Sequence, residues 1–132
     1  MSSAEPSTVF DQIGVDGLTR LVAAFYRQIP HDDLLAPMYP PDDLGGAEER
    51  LRDFLIFRCG GGNRYLETRG HPRLRMRHAP FPIMPAVRDR WVALMDRALD
   101  ESAFPPTADD VLRRFLHETA TFLINAVPRD SP

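Results

Sequence analysis

Proline positions constrain the fold of this 132-residue chain more than any other feature, because 13 prolines are spread along it. Proline lacks a backbone N–H and clashes with the preceding helical turn, so it is excluded from helix interiors. The prolines leave four long uninterrupted stretches, at residues 7–29, 42–71, 86–104 and 107–127. These are the stretches in which long helices can form.

Each of these stretches carries apolar residues at helical spacing, which builds one buried helix face, and none shows the sustained alternation typical of strands. In chain order, the faces contain Leu18, Leu21, Val22, Phe25, Tyr26 and Ile29; Ala47, Leu51, Phe54 and Leu55; Val87, Trp91, Leu94, Met95, Ala98 and Leu99; and Val111, Phe115, Leu116, Phe122 and Leu123. We therefore predict an all-α domain with four main helices.

Local signals indicate where these helices begin and end. The triple glycine at 60–62 is expected to end the second helix. Thr107 is a suitable N-cap for the fourth, because a hydroxyl can accept a hydrogen bond from a free backbone N–H. Residues 60–85 are predicted to form a long irregular loop that contains one short helix, which starts at Pro72 and ends near His78.

The charge and cysteine content exclude several classes of protein. The chain has 16 arginines, no lysine and 19 acidic residues, so its net charge of −3 disfavours general nucleic-acid binding. Cys59 is the single cysteine, which excludes an internal disulfide and a multi-cysteine zinc site. The start of the chain lacks the apolar core of a signal peptide, and no segment has the length of a membrane span. We expect a cytoplasmic protein that binds neither nucleic acid nor membranes.

Among the histidines, His78 is the strongest candidate for metal binding. It is expected to close the short helix between Met76 and Phe81, where a neutral imidazole could bind a metal such as a haem iron. The alternative is an ordinary surface histidine in a turn. A zinc site formed by Cys59, His71 and His78 would match no zinc-binding spacing.

Three aromatic side chains with polar ends are candidates for ligand binding. Tyr26 and Trp91 lie on predicted apolar helix faces, and Tyr39 lies in a proline-rich turn. They could donate hydrogen bonds to a small polar ligand in a buried cavity, or they could be core aromatics whose polar ends bond to backbone carbonyls. The arginines at 69, 73, 75 and 77 either form a solvated face or bind carboxylates or phosphates. No hydrolase or nucleotide-binding motif is present.

The segment RGHPRLRMRHAPFPI at 69–83, followed by Arg88 and Trp91, resembles the signature of group II truncated haemoglobins. Further matching pieces occur in the same order, namely Phe25-Tyr26, Tyr39-Pro40, Asp43-Leu44, Ala47-Glu48-Glu49-Arg50-Leu51 and Gly60-Gly61 with Tyr65. The resemblance covers residues 9–126, which we take as the globin domain. Residues 1–8 and 127–132 are polar and are expected to form flexible tails.

The resemblance implies a truncated globin fold, a two-over-two helical sandwich enclosing haem b. It implies His78 as the iron ligand, and Tyr26, Tyr39 and Trp91 as the polar groups around bound O2. Ala47, Leu51 and Phe54 would lie on the same distal side. Arg77, and after it Tyr65 and His71, would approach the haem propionates. The expected apolar cavity walls are Met76, Phe81, Ile83, Met95 and Phe115.

The function implied by this resemblance is tight binding of O2 and other diatomic ligands, as in an oxygen carrier. One alternative is a redox enzyme, an NO dioxygenase or a peroxidase-like protein, which would need a reductase that the sequence does not identify. Another is a haem-free helical module whose arginine cluster docks an acidic partner. A homodimer is compatible with each of these alternatives.

Overall fold

The computed structural model describes residues 6–78 and 82–126. Within them the helices are α1 Pro6–Gln28, α2 Leu44–Arg58, α3 Arg64–Arg69, α4 Leu74–His78, α5 Pro85–Ser102 and α6 Pro106–Phe122, and single turns of 3-10 helix at Ile29–His31, Ala36–Met38 and Pro41–Asp43 join α1 to α2. These two ranges contain no strand. The all-α prediction is confirmed, and the four long helices occupy the four proline-free stretches.

Helix α1 lies at the centre of the packing. It contacts α2, α5 and α6, and α5 also packs against α6, so two helix pairs cross as a two-over-two sandwich. The side chains that meet there are fully or almost fully buried, among them Leu21, Phe25, Leu55, Met95, Leu99 and Leu112. All of these residues except Leu112 come from the predicted apolar faces, which explains why the helical spacing identified most of the core.

Glycines with positive φ shape the ends of two helical segments. Gly14 has φ +63° and ψ −171°, which interrupts the helical path of α1 and produces a kink. After α2, Gly60 has φ +94°, and the N–H groups of Gly60 and Gly61 donate to the carbonyls of Phe57 and Ile56. This pair of bonds is a Schellman motif, which ends α2 where the triple glycine predicted.

The predictions for residues 60–85 and for Thr107 need correction. The segment contains two short helices, α3 and α4, and α4 begins at Leu74 because Arg73 has a positive φ of 41° that is incompatible with a helix starting at Pro72. Thr107 is not the N-cap of α6, because that helix already starts at Pro106 and Pro105 precedes it. Proline is well suited to the first helical position, where its missing N–H has no partner to lose.

The ends of the chain are described only in part. Residues 1–5 and 127–132, which contain most of the predicted tails, lie outside the described ranges, as does Phe81. Helix α1 begins at Pro6, three residues before the predicted start of the globin domain. Across 6–78 and 82–126, no helix combines the length and apolarity that crossing a membrane requires.

Candidate functional site

A cavity of about 410 Å³ lies among α1, α2, α4, α5 and α6. Its volume falls in the range of small-molecule and cofactor sites. It is lined by Tyr26, Leu35, Met38, Tyr39, Pro40, Ala47, Arg50, Leu51, Phe54, Tyr65, Leu74, Arg77, His78, Ile83, Val87, Arg88, Trp91, Leu116, Thr119, Ala120 and Leu123. Most of these side chains are apolar, so the few polar groups among them determine the chemistry of the site.

His78 is the one imidazole that lines this cavity, and its orientation is fixed. Its Nδ1 lies 2.8 Å from the carbonyl oxygen of Leu74, one helical turn earlier. A neutral imidazole that donates Nδ1–H to this oxygen keeps the lone pair of Nε2 for a metal or another acceptor. The carbonyl of His78 accepts a hydrogen bond from Asn125 Nδ2 at 3.1 Å, and Asn125 Oδ1 accepts one from the N–H of Ile83. Asn125, three residues after the end of α6, therefore holds the end of α4.

Three polar-ended aromatic side chains meet elsewhere in the lining. The rings of Tyr26 and Tyr39 are nearly perpendicular, and their centroids are 5.7 Å apart. The ring centroid of Phe25 lies 5.1 Å from that of Tyr26 and 5.1 Å from that of Trp91. Tyr26 and Trp91 both lie close enough to the Tyr39 oxygen that donation from each of them lowers the pKa of Tyr39. Two donor groups are thus next to one phenol oxygen, and neither of them uses the hydroxyl hydrogen of Tyr39.

Burial keeps these phenols protonated. It raises the pKa of Tyr26 well above its usual range, and the neighbouring Tyr39 raises it further. Burial also raises the pKa of Tyr39, although the hydrogen bonds accepted from Trp91 and Tyr26 oppose that change. Both groups are therefore neutral hydrogen-bond donors at neutral pH, as the binding of a small polar ligand requires.

Arginine side chains add positive charge to the lining. Arg50 forms an ion pair with Asp43 at 2.8 Å, and Arg88 contacts Asp89 and the Thr121 hydroxyl at 3.0 Å each. Arg77 instead donates to the backbone carbonyls of Arg69 and His71. Within the described residues it has no carboxylate partner, so it can receive a carboxylate of a bound ligand.

The structure brings most of the predicted site residues to one cavity. Those that line it are Tyr26, Tyr39, Ala47, Leu51, Phe54, Tyr65, Arg77, His78, Ile83 and Trp91. Phe81 lies outside the described residues. Side chains that were suggested for metal binding, ligand hydrogen bonding and propionate contact therefore line one cavity.

Four other predicted site residues do not line the cavity. Met76 is 60% exposed, because two residues in a helix are about 200° apart and His78 takes the inward face. Met95 is fully buried in the helical core, and Phe115 stacks on Phe54 behind the lining. The side chain of His71 is exposed, although its carbonyl accepts the bond from Arg77.

Several lining residues were not predicted as part of the site. Val87, Leu116 and Leu123 belong to apolar faces that the sequence revealed, but only the tertiary structure separates cavity residues from core residues. Arg50 lies one turn after Ala47, and this spacing could have indicated it. Leu35 and Met38 come from the proline-rich connection between α1 and α2, where no periodic signal exists.

A second cleft, of about 330 Å³, lies between the end of α1 and α5. Its polar groups bond to one another: Gln28 donates to the Leu94 carbonyl at 2.9 Å, Arg97 donates to Gln28, and Arg27 pairs with Glu101 at 3.2 Å. Among the described residues, no group of three or more His, Cys, Asp or Glu side chains could hold a metal ion. The cavity that contains His78 is therefore the better candidate site.

Comparison with known proteins gives consistent matches along almost the whole chain. The family model described as bacterial-like globin matches residues 8–125. The chain is 34% identical over 116 residues to the group 2 truncated hemoglobin YjbI of Bacillus subtilis, an alignment that covers 88% of this chain and 87% of that protein.

Solved structures of the same kind share the fold. A thermostable hemoglobin from the actinobacterium Thermobifida fusca is similar with a TM-score of 0.85 and 44% identity, over 89% of this chain and 96% of that one. A truncated oxygen-avid haemoglobin from Bacillus subtilis is similar with a TM-score of 0.84 and 34% identity, over 89% and 98% of the two chains.

Proposed function

Because this chain belongs to the bacterial-like globin family, as a group II truncated haemoglobin, we propose that its cavity holds a haem and binds O2 and other diatomic ligands tightly. The observation that carries this proposal is the His78 imidazole, whose Nδ1 is engaged by the Leu74 carbonyl while the ring lines an apolar cavity. A haem iron, when bound, supplies the coordination position for a diatomic gas.

The residues of the cavity fit this cofactor. In the neutral tautomer that donates Nδ1–H to Leu74, Nε2 of His78 keeps a lone pair that could bind the iron, and the bond from Nδ1–H would fix the ring and increase its basicity. Apolar side chains such as Leu51, Phe54 and Ile83 offer a low-polarity surface for a porphyrin. His78 would hold the iron, and these side chains would exclude water from it.

Arginine would hold the propionates. The guanidinium group binds carboxylates through two parallel N–H donors, and this chain has no lysine that could substitute for it. Arg77 is the first candidate because its partners are backbone carbonyls alone among the described residues. Tyr65 lines the same cavity and would add a hydroxyl. The exposed side chain of His71 makes it the weakest of the predicted partners.

Hydrogen bonding would retain O2. Dioxygen gains negative charge when it binds ferrous haem, and donors in a water-poor cavity stabilise that charge by about 1–3 kcal/mol each. The arrangement around Tyr39 supports direct donation from its hydroxyl, with Tyr26 and Trp91 holding the phenol in place. Strong retention of this kind argues against simple O2 transport, and it agrees with the oxygen-avid character stated for the Bacillus subtilis structure.

The haem would be of the non-covalent b type. Covalent attachment of a c-type haem uses two cysteines in a C-x-x-C-H motif, whereas Cys59 is the one cysteine and is fully buried. The cytoplasm remains the expected compartment, to be tested by cell fractionation. Family membership favours this proposal over the haem-free interaction module.

A redox function is the second candidate, because oxidisable side chains surround the cavity in ring contact. Tyr39 contacts Tyr26, and Phe25 connects Tyr26 to Trp91. Such side chains can pass single electrons in NO dioxygenase or peroxidase-like chemistry. Turnover of NO or peroxide with a reductant, compared between the native protein and Trp91→Phe, distinguishes this function from O2 binding alone.

The visible spectrum of the purified protein tests the main proposal. We expect an intense Soret band that is lost in His78→Ala and retained in the matched variant His71→Ala, since His71 is exposed and does not line the cavity. A colourless protein that takes up no added hemin contradicts the proposal. Loss of the band in both variants would contradict the assignment of His78 as the iron ligand.

A further inference from the structure

Positive charge is concentrated in one segment of this acidic chain. Residues 58–78 contain six arginines and a single acidic residue, Glu67, which gives them a formal charge of +5. The remaining residues contain 10 arginines and 18 acidic residues, a formal charge of −8. A charge asymmetry of this size within one small domain indicates a surface that meets a partner of opposite charge.

Two arginines of this segment differ in their partners from most other arginines of the chain, although Arg69 does form ion pairs with carboxylates. Arg27, Arg90 and Arg114 each form an ion pair with a nearby carboxylate, as do several others outside the segment. Within the described residues, Arg73 and Arg77 have no carboxylate partner, and both are exposed. The charge of Arg73 is therefore available to an incoming molecule, whereas Arg77 lines the cavity and is assigned to the haem propionates.

An exposed apolar side chain lies beside these two arginines. Met76 is 60% exposed, and it lies three residues after Arg73 and one before Arg77. Arg73 is the residue before α4, and its carbonyl accepts the N–H of Arg77, so the exposed side chains of Arg73 and Met76 both lie at this short helix. We name these two residues the basic face. Methionine and arginine are enriched in protein–protein interfaces, and the flexible thioether adapts to different partners.

The position of the basic face relates it to the proposed haem site. It consists of the residue before α4 and the exposed side of that helix, whose other side carries Leu74 and His78 into the cavity. A molecule bound to the basic face would be separated from His78 by the thickness of a single short helix. This placement suits a partner that exchanges electrons with the cofactor rather than one that only anchors the protein.

We propose that the basic face docks the acidic surface of a one-electron carrier protein, which reduces the haem. The inference rests on the proposed function for the electron transfer but not for the docking itself. In each encounter the reduced carrier would lose one electron and the ferric iron would gain it, and no atom would be transferred.

Other anionic partners fit the face less well. Helices α3 and α4 have six and five residues, too short to embed an amphipathic face in a lipid surface. A long phosphate backbone would also meet the net −8 of the rest of the chain. The acidic remainder of a second copy of the protein could bind the basic face, so the test must also detect self-association.

The test measures binding of an acidic plant-type [2Fe–2S] ferredoxin to the haem-loaded protein. Arg73→Glu is expected to weaken binding about 10-fold at low ionic strength, and Met76→Ser about threefold. Arg27→Glu makes the same charge change at the end of α1, away from the cavity, and is expected to alter binding less than about twofold. Raising ionic strength from about 0.02 to 0.2 M is expected to weaken binding of the native protein and to remove the difference between Arg73→Glu and Arg27→Glu.

A second measurement follows haem reduction. Reduction by the reduced ferredoxin is expected to slow in Arg73→Glu, while reduction by dithionite stays within about twofold of the native rate. Equal ferredoxin affinity in Arg73→Glu and Arg27→Glu would overturn the proposal. Three other results would also overturn the proposal: self-association, binding to anionic vesicles, or binding to an RNA oligonucleotide. Each would do so if it is tighter than ferredoxin binding and is lost in Arg73→Glu. Normal docking by a protein without a Soret band would refute the proposed function alone.

Discussion

At the scale of single residues, the hydrogen bonds among Tyr26, Tyr39 and Trp91 determine which side chain can serve a ligand. Donation from Tyr26 and Trp91 to the oxygen of Tyr39 would leave the Tyr39 hydroxyl as the donor for O2. We expect Tyr39→Phe to accelerate O2 dissociation about 10-fold or more, the effect of losing one well-aligned bond of about 1.4 kcal/mol. Stopped-flow measurement of the dissociation rate tests this expectation.

The matched variants separate direct from indirect roles. Tyr26→Phe and Trp91→Phe are expected to accelerate dissociation less than Tyr39→Phe, because they loosen the phenol without removing its hydroxyl. Tyr65→Phe removes a phenol hydroxyl elsewhere in the lining and is expected to leave the rate unchanged. A larger effect of Tyr26→Phe than of Tyr39→Phe would reverse the assigned roles. Unchanged dissociation rates in Tyr26→Phe, Tyr39→Phe and Trp91→Phe would refute the donor assignment.

The reactivity of the Cys59 thiol is also determined by its surroundings. Its side chain is fully buried, and burial raises the pKa of the thiol to about 11. Since the thiolate is the reactive form, we expect no reaction with Ellman's reagent at pH 8 in the native protein and rapid reaction in denaturant. Fast labelling of the native protein at pH 8 would show that the site opens.

The same pKa has a consequence for stability. The unfolded thiol loses its proton near pH 9 and the folded thiol only near pH 11, so the unfolded state binds fewer protons between these values. The contribution of this thiol to the free energy of unfolding is therefore full below pH 9 and falls by about 1 kcal/mol per pH unit above it. Urea unfolding at pH 8 and at pH 10 gives the free energy of unfolding at each pH. Its decrease between the two should be smaller in Cys59→Ala than in the native protein, and an equal decrease would contradict this account.

The sequence could predict some of these residues and not others. Tyr26 and Trp91 were predictable because helical spacing placed them on apolar faces. The shared bond to Tyr39 was not, because it depends on the path of a proline-rich connection without periodic signal. Met76 and Met95 were assigned to the cavity because they are apolar and close to His78 or to a core face, whereas the rotation of α4 and the depth of α5 place them outside it.

At the scale of elements, the two ends of α2 respond to glycine replacement in opposite ways. A Cβ on Gly61 would lie 2.5 Å from Phe10 Cε1 and 2.7 Å from Ile56 Cγ2, whereas a Cβ on the exposed Gly45 would meet nothing within 4 Å. We expect Gly61→Ala to destabilise the protein by about 1–3 kcal/mol through overpacking, and Gly45→Ala to stabilise it by about 0.5 kcal/mol. Thermal unfolding of the two variants provides the measurement, and equal melting temperatures would contradict the expectation.

The limits of prediction for elements follow from where their contacts come from. The long helices were predictable because their own apolar spacing buries them. Helix α3 was not, because distant residues hold it: Tyr65 stacks on Phe57 with ring centroids 6.0 Å apart, and Arg69 bonds to the buried Asp53 at 3.4 Å. A helix of six residues is unstable alone, so its own sequence carries little signal.

At the scale of the whole molecule, the cavity couples cofactor binding to folding. Its walls come from α1, α2, α5 and α6, the helices that also form the core, and from α4 through His78. A ligand that binds this space binds the native state and not the unfolded chain. Haem binding is therefore expected to stabilise the entire domain and not a local segment.

Removal of haem is accordingly expected to lower the melting temperature. Free ligand at about 100 times its Kd stabilises a native state by about 2.7 kcal/mol, which corresponds to about 10 °C for a domain of this size. His78→Ala should lose most of this increase in melting temperature. Without haem, the melting temperature of this variant should be close to that of the native haem-free protein, because His78 is only half-buried. His71→Ala, which alters an exposed imidazole, should keep the full increment. Calorimetry of all three proteins with and without hemin tests the coupling, and an undiminished increment in His78→Ala would show that the cofactor is held without this ligand.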